Sequence, residues 1–88
     1  MKQILASIII PNWNGKELLK DCLISLSKQS FKRFEIILVD NGSDDNSVDY
    51  VSKNFPRVKI IKLNKNYGFA KAINEGVKAS QAKYVVLL

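Results

Sequence analysis

The sequence has no histidine and only one cysteine among its 88 residues. Without histidine, this chain can neither use imidazole for acid–base catalysis nor build a zinc site with histidine ligands. A single thiol excludes an internal disulfide framework. Cys22 falls on the apolar stripe of a predicted helix, which indicates a small core residue in a reducing compartment. No segment approaches the roughly 20 consecutive apolar residues of a membrane-spanning helix.

Low-complexity tracts and internal repeats are also missing, and the composition is that of a small globular domain. Apolar residues make up 47% of the chain, and 88 residues suffice for one modest core, so we predict a single domain over residues 1–88. The formal charge of +6 comes from lysines and arginines spread along the whole length. Such a spread is typical of a solvated surface, and it also favours anionic ligands such as diphosphates or lipid head groups.

The most informative stretch is an unbroken apolar run, Ile36–Val39, that stops abruptly at the polar residues 40–45. Four apolar residues without alternation predict a strand that is buried on both faces, as central parallel strands are. Gly42 then permits a turn, and Ser43 or one of the two following aspartates is expected to cap the next helix. Asp40 and Asn41 would therefore lie at the carboxyl end of a buried strand, where open α/β sheets bind ligands. The alternative is that DNGS is only a turn and a helix cap.

Strands and helices are predicted to alternate along the chain. The strands cover about residues 6–10, 36–39, 58–63 and 84–88, and the helices cover about 15–27 and 44–54, with a third beginning at about Phe69. Pro11 is expected to end the first strand, and Asn14 with Glu17 has the spacing of a capping box. The two lysines of the third strand favour an edge position. The apolar residues of the third helix repeat at helical spacing and are expected to face inward: Phe69, Ala72, Ile73, Gly76 and Val77.

This βαβαβαβ order predicts a three-layer αβα sandwich around a parallel sheet of about four strands, in the order 3-2-1-4. The switch in direction between strands one and four would open a crevice beside Pro11 to Gly15. Three loops, residues 11–15, 40–45 and 63–68, would then meet at one edge of the sheet. Their amides, acid and aromatic faces could together bind a nucleobase and a ribose. Each asparagine taken alone is better explained as a turn residue, and only the convergence of the three loops favours a site.

Three blocks of the sequence resemble the N-terminal blocks of inverting family 2 glycosyltransferases with the GT-A fold. The blocks are SIIIPNWNG, EIILVDNGSDDNS and NYGFAKAINEGVKAS followed by KYVVLL, and they cover nearly the whole chain from Ser7 to Leu88. The resemblance implies a Rossmann-like half of a GT-A fold that binds a UDP- or dTDP-sugar donor. It also implies a polysaccharide or glycolipid acceptor, and the wording is similar to that of bacterial rhamnosyltransferase-like enzymes of cell-surface polysaccharide synthesis.

The resemblance also implies roles for particular residues. The first loop would wrap the nucleotide, Asp40 would hydrogen-bond the base, and the residues after it would complete that wall; many relatives have a second aspartate where this chain has Asn41. The third block would close the pocket with a basic residue and an asparagine. The residues predicted to bind the nucleotide sugar are Pro11, Asn12, Trp13, Asn14, Asp40, Asn41, Gly42, Ser43, Asn66, Gly68, Lys71 and Asn74.

In the family, the fourth strand leads into an acidic DxD metal motif, and later segments supply the acceptor site and the catalytic base. This chain ends at Leu88, before any of them, and Asp44 and Asp45 are better explained as a helix start. We therefore expect a part of the enzyme that is truncated after strand four, with no catalytic residue and no metal ligand of its own, inactive alone. A divalent cation, Mn²⁺ or Mg²⁺, is expected for the full-length enzyme.

Strand four would then be left as an uncharged apolar edge, through which we expect the chain to self-associate. The apolar residues before Pro11–Asn14 lack a small-residue cleavage site and predict a strand, not a signal peptide. We expect a cytoplasmic protein, with peripheral attachment at the inner face of the membrane as an alternative, and no nucleic-acid partner.

Other classes of protein share parts of this pattern. A Rossmann dinucleotide-binding domain would need a glycine-rich turn after strand one, where only Gly15 is present. A phosphate-receiver domain would need acids after strands one and three, and those strand ends carry Pro11–Asn12 and Leu63–Asn64. A non-catalytic nucleotide-binding or interaction module remains an alternative.

Overall fold

The computed structural model describes residues 4–29 and 33–88, and in them strands and helices alternate as predicted. The elements are β1 (Ala6–Asn12), α1 (Lys16–Ser27), β2 (Phe34–Asp40), α2 (Ser47–Asn54), β3 (Lys59–Lys62), α3 (Phe69–Ala79) and β4 (Tyr84–Leu87).

The four strands form one parallel sheet in the order β3-β2-β1-β4, which confirms the predicted order. β1 and β2 pair along their full length, from Ala6 opposite Phe34 to Asn12 opposite Asp40. Because parallel strands point the same way, the loops that follow β1, β2 and β3 emerge at one edge of the sheet. β3 is an edge strand, as its two lysines indicated.

Two apolar layers cover the two faces of the sheet, so the predicted three-layer sandwich is confirmed. On one face, α1 and α2 contribute Leu19, Leu23 and Val51 to a cluster with Ile10 and Leu38. On the other face, α3 packs Ala72 against Ile9, Ile37 and Val39. Alternation along the central strands explains both layers, since neighbouring residues of a strand point to opposite faces.

The half-buried Cys22 packs against the first of these layers, in keeping with its predicted place on the apolar stripe. Burial raises the pKa of its thiol, so at neutral pH it is present as the uncharged form.

Strand β1 continues through Pro11 to Asn12, so the prediction that Pro11 ends it was wrong. Alternate residues of a strand direct their backbone groups to the same neighbour. The Ile9 carbonyl accepts from the Leu88 amide on the β4 side, so Pro11 faces that side too. β4 pairs with β1 only as far as Ile9 opposite Leu87, so the missing N–H of Pro11 breaks no ladder bond.

The helix starts differ from the sequence prediction. α1 is capped by Gly15 without a side-chain hydrogen bond, so the capping box of Asn14 and Glu17 was wrong. α2 starts at Ser47 and not near Asp44, with Asn46 at its N-cap in a left-handed conformation (φ 65°). Ser43 does not cap α2 either, and the Asn14 and Ser43 side chains instead bond to other loops, as described below.

In α3 the small residues Ala72 and Gly76 are buried, and Ile73 packs beside them. Phe69 and Val77 were expected to face inward, but they are 64% and 46% exposed. Gly76 lies directly against Ile9, since a Cβ there would come within 2.5 Å of the Ile9 Cγ2. Because α3 contacts the sheet closely through small residues, the contact between them is narrow. The side chains of Phe69 and Val77 lie outside this contact.

Glu35 is a buried acid at the end of the sheet opposite to the loops that follow β1, β2 and β3. The Glu35 side chain accepts hydrogen bonds from the Ser7 hydroxyl and the Gln81 amide, and its Oε1 lies 2.8 Å from Lys59 Nζ. Burial raises the pKa of Glu35, but Lys59, Ser7 and Gln81 together outweigh it and hold the pKa below its usual range. This cluster ties β1, β2 and β3 to the turn after α3.

Candidate functional site

The three loops predicted to converge do meet at the carboxyl edge of the sheet. Backbone hydrogen bonds carry the ladder past the strand ends: the Asn41 amide donates to the Asn12 carbonyl and the Leu63 amide to the Asp40 carbonyl, each at 2.8 Å. The first loop follows β1, the second follows β2, and the third runs from Leu63 to Gly68.

At the centre of the site, the Asp40 side chain is buried, with 3% of the residue exposed. Its Oδ1 accepts from Asn12 Nδ2 at 2.9 Å and from the Ser43 hydroxyl at 2.7 Å, and its Oδ2 accepts from the Ser43 amide at 2.9 Å. A carboxylate has about four acceptor positions. Three are used in these contacts, so among the described residues one acceptor position, on Oδ2, is left without a hydrogen bond.

Asn12 and Ser43 are used to join the first two loops. Asn12 Nδ2 lies 3.2 Å from Ser43 Oγ as well as near Asp40, and Asn12 Oδ1 accepts from the Gly15 amide at 3.2 Å. Ser43 Oγ also accepts from the Asn14 amide at 2.8 Å. Both side chains therefore bond to other groups of the protein. The sequence pattern alone could not distinguish such bonds from contacts with a ligand.

Asn14 and Asp45 complete the connection between the first two loops. Asn14 has φ 50°, and its Oδ1 accepts from the Asp44 amide at 2.8 Å. Asp45 accepts from the Lys16 amide at 3.1 Å and from the amide and hydroxyl of Ser47. Burial raises the pKa of Asp45, but the bonds from Ser47 and Lys16 outweigh it and lower the pKa below its usual range. Asp45 thus joins the starts of α1 and α2.

The third loop is held against the second at two points. Asn41 is buried, its Nδ2 donates to the Gly68 carbonyl at 3.2 Å, and its Oδ1 accepts from the Tyr67 amide at 3.3 Å. Gly42 has φ 75° and lies directly on the backbone of Lys65, where a Cβ would come within 2.7 Å of the Lys65 Cα. The contact between Gly42 and Lys65 was not predicted, because nothing in either residue's local sequence indicates it.

Within the third loop, Asn66 Oδ1 accepts from the Gly68 amide at 2.8 Å, and the Tyr67 hydroxyl donates to Asn64 Oδ1 at 2.6 Å. Asn64 was not among the residues predicted to bind the nucleotide sugar. Asn66 therefore shapes the turn that leads into α3.

The rings of Trp13 and Tyr67 and the side chain of Lys71 are exposed to solvent. Trp13 is 56% exposed and Tyr67 is 44% exposed, and Lys65 Nζ lies 5.1 Å from the centre of the Tyr67 ring. Lys71, in the first turn of α3, pairs with Glu75 at 3.2 Å. The bond from Lys71 is the main cause that lowers the pKa of Glu75. Asn74 lies on the same helix and is exposed.

A groove of about 330 Å³ adjoins the first loop, and its lining includes Pro11, Trp13, Leu18, Cys22 and Leu88. A second cavity of about 360 Å³ lies at the other end of the sheet, against residues such as Phe34, Phe55 and Val58. That second cavity is far from the three loops. The groove lies beside the first loop, and its lining includes neither Asp40 nor any residue of the second and third loops.

Over residues 4–29 and 33–88, no three histidine, cysteine or acidic side chains are grouped so that they could hold a metal ion. None of the helices found there has both the length and the apolar character needed to cross a membrane.

The comparison with protein families gives a match over almost the whole sequence. The pattern of Glycosyl transferase family 2 matches residues 7–88. The chain belongs to this family. The resemblance in the three sequence blocks is thereby confirmed.

Named relatives agree with this assignment. The uncharacterized glycosyltransferase YibD of Escherichia coli K12 is 35% identical over 85 residues, covering 93% of this chain and 24% of YibD. The glycosyltransferase GlyG of Streptococcus pneumoniae is 32% identical over 87 residues, covering 96% of this chain and 29% of GlyG. The chain thus spans about a quarter to a third of the length of these relatives.

Solved structures show the same fold. S. aureus TarS 1-349 in complex with UDP-GlcNAc matches with a TM-score of 0.87 and 30% identity, over 100% of this chain and 26% of the TarS 1-349 chain. The mannosyltransferase PcManGT from Pyrobaculum calidifontis, in complex with GDP-Man and Mn²⁺, matches with a TM-score of 0.76 over 92% of this chain and 26% of its own. At 19% identity, PcManGT supports the GT-A fold alone.

Proposed function

We propose that this chain is the nucleotide-binding part of a glycosyltransferase that holds the nucleoside diphosphate of a UDP- or dTDP-sugar for inverting transfer. The observation that carries the proposal is the convergence of three loops around the buried Asp40, with one carboxylate position left for a ligand. The complex of the related TarS with UDP-GlcNAc supports a donor of this kind.

Base recognition would rest on Asp40 and the exposed rings. A pyrimidine such as uracil or thymine carries a ring N–H, which Asp40 Oδ2 can accept. Adenine has no ring N–H on its pairing edge and can donate only from its exocyclic amino group, so a pocket that places a pyrimidine ring N–H at Asp40 Oδ2 would fit adenine less well. Trp13 and Tyr67 offer faces for stacking, which adds affinity but little discrimination between bases.

The diphosphate would lie toward α3. The amino end of α3 presents backbone N–H groups and the positive end of the helix dipole. Lys71 stands in its first turn, where the structure places no acidic residue, and its side chain is 46% exposed. The net charge of +6 favours the approach of an anionic donor.

The remaining predicted residues would act through the shape of the loops. Asn12, Asn14 and Ser43 join the first two loops, and Gly42 and Asn66 set the course of the second and third. Pro11 is the last residue but one of β1, and Gly68 immediately precedes α3. A substitution at any of these positions is expected to alter ligand binding indirectly, by moving Asp40, Trp13 or Lys71.

We assign no catalytic residue to this chain and expect no sugar transfer by it alone. Displacing a nucleoside diphosphate calls for positive charge on the leaving oxygens and a carboxylate to activate the acceptor. A Mn²⁺ or Mg²⁺ ion would have to be held by carboxylates other than the described ones. The acceptor is proposed to be a polysaccharide or glycolipid of the bacterial cell surface. The proposed location is the cytoplasm or the inner face of the membrane.

Self-association through the edge of β4 is also part of the proposal. Tyr84, Val85, Val86 and Leu87 are each 40–54% exposed, and the strand carries no charge. An uncovered apolar edge tends to pair with another strand.

The test of donor binding is a set of NMR titrations of the chain with UDP, dTDP, ADP and GDP. We expect UDP and dTDP to bind several-fold more tightly than ADP, with shifts at the three loops. Asp40→Ala should remove this preference, since a hydrogen bond to a charged group is worth about 1.5–3 kcal/mol. Asp49→Ala, which changes an exposed acid in the first turn of α2, is the matched control and should keep it.

Because Asp40 also joins the first two loops, urea unfolding of each variant must show that the Asp40→Ala chain is folded under the titration conditions. Shifts confined to the outer faces of the helices, or equal binding of ADP and UDP by the original chain, would contradict the proposed function.

A further inference from the structure

Asn41 makes two hydrogen bonds to consecutive residues of the third loop. Its Nδ2 donates to the Gly68 carbonyl and its Oδ1 accepts from the Tyr67 amide. Only 4% of the residue is exposed, and its backbone amide donates to the Asn12 carbonyl. One carboxamide therefore supplies both a donor and an acceptor to the turn that leads into α3, while its own backbone extends the pairing of β1 and β2.

The Gly68 carbonyl has a second role. It accepts from the Ala72 amide at 3.3 Å and so closes the first turn of α3. Gly68 itself has φ 93° and ψ 172°, a conformation that is essentially restricted to glycine. The bond from Asn41 thus reaches the residue at which the loop becomes a helix, and it fixes the start of the helix that carries Lys71 and Asn74.

Neither a carboxylate nor an apolar side chain can reproduce this pair of bonds. A carboxylate accepts from the Tyr67 amide, but it has no proton to donate to the Gly68 carbonyl, and two acceptors would then face each other. A protonated carboxyl can make both bonds, because it carries one O–H donor and one carbonyl acceptor. With the third loop placed as it is in this chain, both bonds need a side chain that donates and accepts at the same time.

We infer that Asn41 is a positioning residue for nucleotide binding: its carboxamide holds the Tyr67 amide, the Gly68 carbonyl and the amino end of α3 in the arrangement that receives the donor. Asn41 acts through the third loop and does not itself need to touch the base. This inference rests on the nucleotide binding proposed above and adds the element that sets the geometry of the site.

The test compares UDP affinity in Asn41→Asp and in the original chain over a pH series from about 7.5 to about 5. Near the upper end, we expect Asn41→Asp to bind UDP about tenfold more weakly. Burial and the facing carbonyl raise the pKa of the introduced carboxyl, so protonation should restore both bonds, and the affinity ratio should return toward one as pH falls. A merely structural loss would not recover in this way.

Asn54→Asp is the matched control, because Asn54 Nδ2 also donates to a backbone carbonyl, that of Tyr50, at 2.9 Å on the exposed end of α2. It makes the same chemical change away from the loops and should keep the ratio near one at every pH. The charged groups nearest in sequence or register are Asp40, Lys62, Lys65 and Lys71. These groups are present in the original chain and in every variant, and UDP titrates in the same way in each experiment. Their effects therefore cancel in the ratio of the two UDP affinities.

Two further measurements keep the inference open to refutation if Asn41→Asp folds poorly at neutral pH. Asn41→Ala, which removes the clamp without adding charge, should lose a similar factor in affinity and should not recover at low pH. In the absence of nucleotide, the Ala72 amide should exchange with solvent faster in both variants than in the original chain. The Tyr67 amide should exchange faster in Asn41→Ala, which removes its acceptor.

The outcomes separate this inference from the proposed function. If the original chain binds UDP but Asn41→Asp and Asn41→Ala bind it equally well, the positioning role is refuted and the proposed function stands. If the original chain does not bind UDP at all, the proposed function fails, and the positioning role fails with it. An Asn41→Asp defect that is independent of pH would also refute the role assigned to the donor N–H.

Discussion

Replacing Gly42 by alanine tests the contact on which the arrangement of the second and third loops depends. The added Cβ would lie 2.7 Å from the Cα and 2.9 Å from the carbonyl carbon of Lys65. These are backbone atoms, so no side-chain rotation can relieve the clash, and the two loops must move apart. Gly42 also has φ 75°, a backbone conformation that residues other than glycine rarely adopt.

The expected cost has two parts. Holding a non-glycine residue in the left-handed region costs about 1–2 kcal/mol, and forcing extra volume into a packed contact costs about 1–3 kcal/mol. Gly42→Ala should therefore lower the free energy of unfolding by about 2–5 kcal/mol, a large share of the roughly 5–15 kcal/mol typical of a small domain. Since the third loop moves, UDP binding should weaken as well.

Gly68→Ala is the matched variant, because it separates backbone strain from the clash. Gly68 also has a positive φ, 93°, but a Cβ there would meet no atom within 4 Å. We expect strain alone, about 1–3 kcal/mol. The measurement is urea unfolding followed by circular dichroism, with a shift in midpoint and an unchanged slope. If Gly42→Ala costs no more than Gly68→Ala, the close packing of Gly42 on Lys65 is not a determinant of the fold.

Two other predictions concern Glu35 and the β4 edge. The pKa of Glu35 is lowered in the folded chain, so the stability that it contributes is present above its unfolded pKa and is lost as pH falls through the folded one. Thermal unfolding from about pH 6 to pH 3 should therefore depend less on pH in Glu35→Gln, and equal pH dependence would contradict this. Light scattering over a concentration series should show self-association of the chain through β4. Val86→Lys should reduce this self-association, and the control Leu18→Lys, on the exposed face of α1, should not. A monomer at high micromolar concentration would refute the edge argument.

The meeting of the three loops at one edge of the sheet followed from the sequence, but the hydrogen bonds that join these loops did not. Asn12, Asn14 and Ser43 were selected as nucleotide contacts, and each of them bonds to another loop in the structure. Their partners are 28–31 residues away in sequence. An amide at a strand end has the same composition and local pattern whether it faces a ligand or a neighbouring loop, so no local signal could have separated the two.

The errors at helix starts have a related cause. A side-chain cap is worth about 1 kcal/mol, which is comparable to one hydrogen bond with another loop. Asn14 and Ser43 had the local chemistry of caps, but Asn14 bonds to Asp44 and Ser43 bonds to Asn12, which are 30 and 31 residues away in sequence, and these tertiary contacts prevail. Ser43 also donates to Asp40 within its own loop. Phe69 and Val77 were misplaced because helical spacing gives the apolar side of α3 but not the width of its contact with the sheet.

The sequence by itself determined the order of the elements, the parallel sheet with the order 3-2-1-4, and the edge at which the loops meet. These follow from apolar runs that must be buried on both faces and from right-handed crossovers, which leave few arrangements for strands joined by helices. Only the tertiary structure decided that Asp40 keeps one acceptor position and that Gly42 rests on the backbone of Lys65. It also decided that Asn41 holds the start of α3. These features depend on distances of about 3 Å between segments far apart in the chain, and such distances are set by the packing of the whole molecule.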